Sequence, residues 1–173
     1  MADARTSGTA TERIYSLVKI MGEDKAFEYQ KKLHQNVQMY TKSGAGGALP
    51  VASGQAASGI FYIVDALDIQ QQGYPVVLSY PSEGVSYGVE ATGILKGAKH
   101  PEEAARFVDW ATSKEFAQLL VDKQINYIPT RTDVEVSNPA MDVSKVVLIE
   151  TDVAWKGASR KGFVDRWIEE VIK

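Results

Sequence analysis

The sequence predicts an α/β protein in which helices cover a sheet, followed by a mainly helical C-terminal part. Through the first hundred residues, stretches with helical apolar spacing alternate with short apolar runs rich in β-branched and aromatic residues. After Lys96 the apolar residues recur at helical spacing almost to the end of the chain. Such alternation of helix-like and strand-like segments is typical of a sheet with helices packed on it.

Two helices come first. An apolar face predicts the first one and consists of Ile14, Leu17, Val18 and Met21. Thr9 followed by Glu12 is typical of a capping box at its start, with Ser7 as the alternative cap. Gly22 ends this helix, and a second one begins near Glu23. Its predicted buried side consists of Ala26, Tyr29, Leu33 and Val37.

Strands are predicted at residues 38–42, 59–64, 76–80 and 90–96, and a strand or extended segment at 146–149. The run at 59–64 is continuously apolar, as in a strand that is buried on both faces. A flexible turn at 43–47 leads into a helical stretch at about 48–53. A brief helix over 65–72 ends at Gly73, and a turn occupies 81–84.

Three helices are predicted in the C-terminal part. Pro101 suits the first position of one helix, whose apolar stripe consists of Ala104, Phe107, Val108 and Ala111. Thr112 and Glu115 form a second capping box, which opens a helix through Phe116, Leu119 and Leu120. The last helix carries Phe163, Val164, Trp167, Ile168 and Val171 on one side.

Composition restricts the function. The chain has 173 residues and a net charge of -3, without the basic surplus of a nucleic-acid-binding protein. It has no cysteine, which excludes disulfides, thiolate metal sites and a catalytic thiol. No apolar run reaches the ~20 residues that span a bilayer. Polar sequence follows Met1 directly, so no signal peptide is recognisable.

Small hydroxyl residues and a glycine concentrate at the predicted start of the first helix, at Ser7, Gly8 and Thr9. The free N–H groups of a helix start, together with its partial positive charge, favour an anion there. Plain helix capping is the alternative. Arg5 could add a charge-assisted contact, or could simply be solvated. Glu12 opposes an anion unless it is turned aside.

Other polar residues stand at turns and element ends. Asp65 follows the predicted strand 59–64, where open α/β sheets bind ligands, although it could equally cap the next helix. Ser43 and Gly44 could offer backbone donors or form a flexible turn. Glu83 and Tyr87 could bind sugar hydroxyls or an amine, or could lie in water.

The chain carries none of the motifs that catalysis would require. No Gly-x-Ser-x-Gly, His-Glu-x-x-His or Walker sequence is present, and both histidines, His34 and His100, lack a carboxylate at ligand spacing. The sequence therefore predicts neither an enzyme nor a cofactor. A binding protein is favoured, and a structural or interaction module without a ligand is the other alternative.

Four segments, the last of them continued by a fifth stretch, together resemble the extracytoplasmic solute-binding proteins of bacterial ABC importers, in the group that binds ferric ion, phosphonates and sugar phosphates. They are RTSGTA at 5–10, YTKSGA at 40–45, YPSEG at 80–84, GILKGAKHPEEAA at 93–105 and RFVDWATSKE at 106–115. The resemblance covers nearly the whole chain through the order and spacing of these segments. It implies a type II periplasmic-binding-protein lobe, with a mixed sheet flanked by helices.

The resemblance also implies how the chain is divided. Residues 1–92 would be lobe two, and residues 93–173 would be the return crossing and C-terminal helices that belong to lobe one. The lobe-one sheet and the signal peptide would be missing. The native location would be periplasmic or extracytoplasmic, with a lipid anchor in a Gram-positive organism. The exposed cleft and unpaired helices could drive homodimerisation or domain swapping.

The implied ligand is a small phosphorylated or phosphonate-bearing solute, delivered to the membrane permease by lobe closure. Its anionic head would lie on Ser7–Thr9, with Asp65 and Glu83 toward its polar body. Ferric iron is the alternative. In ferric-binding relatives two adjacent tyrosines ligate the metal, but Val64 and Asp65 stand at the corresponding positions here, so no metal ligand is assigned.

Overall fold

The computed structural model describes residues 1–136 and 138–173, and their contacts divide the chain into two compact units. The first unit contains residues 1–88 and 146–173, and the second contains residues 89–145. The predicted assignment of residues 1–92 and 93–173 to two different lobes stays a prediction.

The first unit contains five α-helices and two short strands among the described residues. Labelled in chain order through both units, they are α1 (Gly8–Met21), α2 (Glu23–His34), α3 (Ala48–Ala52), α4 (Ile63–Gln71), β1 (Val85–Ser86), β2 (Leu148–Ile149) and α7 (Val153–Glu170). A single 3-10 turn, Ala45–Gly47, leads into α3. The predicted helices at these places are thereby confirmed, except that α4 begins two residues early.

The core of the first unit forms where α1, α2 and α7 pack together. Its large side chains are aromatic, and its members are Ala2, Ala4, Ala10, Ile14, Tyr15, Phe27, Phe163, Trp167 and Val171. Gly22 joins α1 to α2 at a φ of 81°, a backbone conformation that favours glycine. The chain can therefore change direction between the two helices at this single residue. On the predicted inner face of α1, Ile14 is buried and Leu17, Val18 and Met21 are half-buried. The predicted inner face of α7 is confirmed, whereas the prediction for Tyr29 on α2 is wrong, since it is exposed.

The sheet is much smaller than predicted. β1 and β2 pair in parallel, Val85 with Leu148 and Ser86 with Ile149. Residues 38–42 contribute only an isolated parallel bridge, Ala2 with Thr41. The predicted strands at 59–64, 76–80 and 90–96 are wrong. A parallel strand needs a neighbour and cover on both faces, but residues 59–62 and 76–80 are mostly exposed and the chain turns helical at Ile63.

The second unit contains α5 (Pro101–Ala111) and α6 (Lys114–Asp122), with 3-10 turns at Pro139–Met141 and Val143–Lys145. Both predicted helices are confirmed, and Pro101 takes the first helical position. The predicted cap is off by one residue, because Ser113 rather than Thr112 accepts the hydrogen bond from the Phe116 N–H at 3.1 Å. The apolar stripe of α5 is not buried.

Among the described helices, none combines the length and the apolar character that a membrane span requires.

Candidate ligand-binding site

The segment before α1 runs alongside residues 39–42. The Asp3 N–H donates to the Thr41 carbonyl and the Thr41 N–H donates to the Met1 carbonyl, both at 2.9 Å. The Thr6 hydroxyl donates to the Lys42 carbonyl at 2.8 Å. These bonds fix the register of the two segments. They therefore bring the start of α1 beside the turn that begins at residue 43.

Gly44 packs directly against Thr9. A Cβ added at Gly44 would collide with the Thr9 hydroxyl and would lie 3.0 Å from the Thr9 Cβ. Only glycine permits this approach, although its φ of -58° is ordinary. The structure thus brings together two of the predicted ligand-binding segments, Ser7–Thr9 and Ser43–Gly44. The Ser43 carbonyl accepts the Thr41 hydroxyl at 2.8 Å, which holds the turn in place.

The start of α1 has no side-chain cap from the described residues. Ser7 occupies the N-cap position with extended backbone and is buried, but its hydroxyl makes no capping bond. The predicted capping box is wrong, because Thr9 lies inside the helix and Glu12 pairs elsewhere. Around Gly8 there is open space. Uncapped N–H groups beside an open glycine can receive an anion, aided by the partial positive charge of the helix start.

Arg5 forms a bidentate ion pair with Asp3. Its Nη2 lies 2.6 Å from Asp3 Oδ2, and its Nε lies 3.0 Å from Asp3 Oδ1. The hydrogen bonds from this guanidinium lower the pKa of the Asp3 carboxyl, against the opposing effect of burial. The guanidinium fork of Arg5 therefore faces a carboxylate of its own chain, and a direct role in binding a solute stays a prediction.

Asp65 lies in the first turn of α4, not at its cap. Tyr62 is the N-cap residue, and one Asp65 carboxylate oxygen, Oδ2, is buried without a hydrogen-bond partner. Burial, reinforced by the nearby charge of Asp68, raises the pKa of Asp65. α4 packs on α3, which follows the Ser43–Gly44 turn. An unsatisfied buried carboxylate of this kind is a candidate for binding a hydroxyl or an amine.

Glu83 and Tyr87 flank β1. Glu83 is exposed and accepts the Ser82 hydroxyl at 3.1 Å, within the predicted turn. Tyr87 follows β1, and its carbonyl accepts from Lys156 Nζ at 3.4 Å. The Ser86 hydroxyl donates to the Glu12 carbonyl of α1 at 3.3 Å. β1 is thereby tied to α1, which brings the Tyr87 backbone to the same part of the unit as that helix.

Lys156 was not a sequence candidate. Its Nζ lies 2.7 Å from Glu12 Oε2, and both side chains are largely buried. The two residues are 144 positions apart, so no local pattern could indicate the pair. The sequence shows only that the negative charge of Glu12 would oppose an anion at the helix start.

The described residues contain no group of three or more His, Cys, Asp or Glu side chains placed to hold a metal ion. His34 instead stacks on Tyr40, with its Nδ1 3.0 Å from the phenol oxygen.

This chain belongs to the family of bacterial extracellular solute-binding proteins, whose family model matches residues 3–145. A protein of Haemophilus influenzae is 39% identical over 175 residues, which cover 99% of this chain and 50% of that protein. The Fe(3+)-binding periplasmic protein of Serratia marcescens is 26% identical over 125 residues, covering 68% of this chain and 37% of that protein.

Two solved structures are similar to this chain. One is the periplasmic binding protein AfuA from Actinobacillus pleuropneumoniae with exogenous fructose-6-phosphate bound, at 36% identity and a TM-score of 0.88, covering 99% of this chain and 55% of that one. The other is the periplasmic binding protein P5PA, at 28% identity and a TM-score of 0.79, covering 98% and 55%. The predicted fold class and family are confirmed. The chain spans about half the length of these relatives.

Proposed function

We propose that this chain is the part of a periplasmic solute receptor that holds the anionic head of a small phosphorylated or phosphonate-bearing solute. The observation that carries the proposal is the packing of Gly44 on Thr9, beside the uncapped start of α1. This contact brings the backbone of two segments together next to one helix terminus. A phosphate has several acceptor oxygens that the N–H donors of a helix start can bind.

The electrostatics support an anionic ligand. A helix start favours a negative group by about 0.3–1 kcal/mol, and by up to ~2 kcal/mol where the geometry is partly buried. Hydrogen bonds to a charged group add about 1.5–3 kcal/mol each. A phosphate ester bound by two or three such donors is then held in preference to a neutral sugar. AfuA, at 36% identity, is described with fructose-6-phosphate bound, in agreement with this ligand class.

The remaining candidates would bind the organic part of the solute. Asp65 supplies a buried carboxylate oxygen without a partner, and Glu83 and Tyr87 stand on the segment that Ser86 ties to α1. We assign no chemical step to the site, since the family consists of binding proteins. The complete receptor would close around the solute and deliver it to the permease of an ABC importer.

Titration with fructose-6-phosphate, fructose and inorganic phosphate, followed by NMR or thermal shift, tests this function. We expect the phosphate ester to bind at millimolar concentrations and fructose to bind more weakly. Ser7→Ala should weaken phosphate binding by roughly tenfold, the value of one charge-assisted hydrogen bond. Ser113→Ala is the matched control: it removes the N-cap serine of α6 in the second unit, and phosphate binding should not change.

Ferric iron is the second candidate, favoured by the similarity to the Serratia marcescens protein. Ferric citrate is therefore included in the same titration. Stabilisation by iron alone, or a coloured iron complex, would overturn the phosphate proposal. Equal binding of fructose and fructose-6-phosphate would also contradict it. The predicted self-association of the chain stays a prediction and can be checked on the same samples by light scattering.

A further inference from the structure

We propose that Lys156 is a positioning residue for the anion site: it neutralises Glu12 and fixes the segment after β1 against α1. This inference rests on the proposed function. It names a residue of α7, far along the chain from the predicted ligand-binding segments.

The need for such a residue follows from the place of Glu12. It lies on α1 four residues after Gly8, about 6 Å along the helix axis. A carboxylate at this distance repels an anion bound at the helix start. Because the side chain of Glu12 is largely buried, solvent and salt screen this repulsion less than they would at an exposed site. An anion site here requires a counter-charge.

Lys156 supplies that charge in a well-defined geometry. Its Nζ lies 2.7 Å from Glu12 Oε2, and the two side chains are only 15% and 18% exposed. The ammonium also lies 5.7 Å from the centre of the Tyr15 ring, within reach of a favourable cation–π contact. The Tyr15 hydroxyl in turn donates to the Lys156 carbonyl at 2.9 Å. Lys156 is thus held to α1 through both its side chain and its backbone.

The same ammonium reaches the segment that carries the other candidates. It donates to the Tyr87 carbonyl at 3.4 Å, while the Ser86 hydroxyl donates to the Glu12 carbonyl at 3.3 Å. Three elements, α1, α7 and the segment after β1, therefore meet at one ion pair. Loss of Lys156 would leave a buried carboxylate unpaired near the anion site and would release Tyr87 from α1.

A series of charge-neutralising substitutions in the full chain tests this proposal, with fructose-6-phosphate and inorganic phosphate as probes. Lys156→Met leaves Glu12 uncompensated, and we expect phosphate affinity to fall by about tenfold, as an unpaired charge at this range implies. Glu12→Gln alone should bind phosphate no more weakly than the unmodified chain. For inorganic phosphate, which has no organic part for the Tyr87 segment to bind, the double variant Glu12→Gln with Lys156→Met should return to within about twofold of the unmodified chain.

Lys31→Met is the matched control. Lys31 pairs with Glu170 at 2.7 Å, so this change also removes one positive charge and one ion pair between helices. Glu170 lies 14 residues from Lys156 along α7, about 21 Å. Phosphate affinity should not change in this variant. Lys156→Arg keeps the charge and should retain most of the affinity. This variant shows whether the loss in Lys156→Met comes from the missing charge and not from poor folding.

The outcomes separate this inference from the proposed function. If the unmodified chain binds neither phosphate probe, the proposed function fails. If it binds them and Lys156→Met binds equally well, the positioning role is wrong. The inference also fails if the double variant binds as weakly as Lys156→Met, because the loss would then not come from the uncompensated charge of Glu12. Thermal unfolding of each variant shows whether the folded fraction accounts for any change.

Discussion

The two units of this chain contain similar amphipathic helices but differ in how far the apolar faces of these helices are buried. In the first unit, α1, α2 and α7 bury an aromatic core, in which Trp167 is 1% exposed. In the second unit, neither α5 nor α6 contains a buried residue, and Trp110 is 45% exposed. Yet the apolar stripe of α5 is as regular in sequence as that of α1.

The difference teaches that an amphipathic pattern specifies a helix and its apolar face, but not the element that covers the face. α1 and α2 follow each other directly and still need α7, which begins more than a hundred residues later, to close their core. α5 and α6 contact each other through Trp110 and Phe116, whose ring centres lie 4.7 Å apart. Phe107, also on α5, lies 5.9 Å from the Trp110 ring. No third α-helix of their own unit lies among the described residues.

Replacing the two tryptophans gives the largest expected difference between the units. Trp167→Ala should cost about 3–5 kcal/mol of unfolding free energy, since it removes a fully buried side chain and leaves a cavity. Trp110→Ala should cost about 1 kcal/mol, the value of its aromatic contacts. Urea unfolding followed by circular dichroism measures both. Equal losses would mean that α5 and α6 are as well covered as the first core.

Two glycines with positive φ provide a smaller contrast. Gly84 precedes β1 at a φ of 115°, and a Cβ there would lie 2.8 Å from the Val147 carbonyl oxygen. Gly97, in the second unit, has a φ of 81° with open space around it. Gly84→Ala should therefore cost about 2–3 kcal/mol from strain and collision, against about 1 kcal/mol for Gly97→Ala from strain alone.

Thermal unfolding of the two alanine variants measures this contrast. Because Gly84 adjoins the pairing of β1 with β2, Gly84→Ala should also expose the amides of Val85 and Ser86 to hydrogen exchange. A Gly84→Ala variant as stable as Gly97→Ala would show that the approach of Val147 is easily relieved.

Local signals predicted the helices well. Gly22 and Pro101 act within one turn of chain, so their effects can be seen in sequence, and the cap of α6 was predicted to within one residue. The strands failed because pairing is not local. The apolar run at 59–64 has the composition of a buried strand, but a strand needs a partner at the correct register. The sheet among the described residues has two strands, β1 and β2, and the run at 59–64 is in neither.

The candidate site also combines residues that local sequence signals predict with residues that they do not. Ser7–Thr9 and Ser43–Gly44 were predicted separately from their own residue types, and the structure brings them together through the bonds of Asp3 and Thr41. Lys156 could not be predicted, because its partner Glu12 is 144 residues away. Local chemistry is visible in the sequence, whereas pairings between distant elements are decided only by the folded packing.

The smallest expected effect concerns two carboxylates, one in each unit, with opposite pH dependence. Burial raises the pKa of Asp65 above its ordinary value of 3.8, so the folded chain keeps that proton longer than the unfolded chain does. Its contribution to stability is therefore present below about pH 3.8 and is lost as the pH rises through the raised pKa. Asp65→Asn should remove this loss and raise the melting temperature at neutral pH.

Asp133 behaves in the opposite sense. Hydrogen bonds from Arg131 lower its pKa below 3.8, so its contribution is present above about pH 3.8 and is lost as the pH falls through the lowered value. Asp133→Asn should remove that acid loss, with a smaller change because the pair is exposed to solvent and salt. Melting temperatures of both variants between pH 2 and pH 7 measure the two slopes. If Asp65→Asn left the slope above pH 3.8 unchanged, the Asp65 carboxylate would not be desolvated in the folded chain, and the first unit would lose its buried candidate for binding the polar body of the solute.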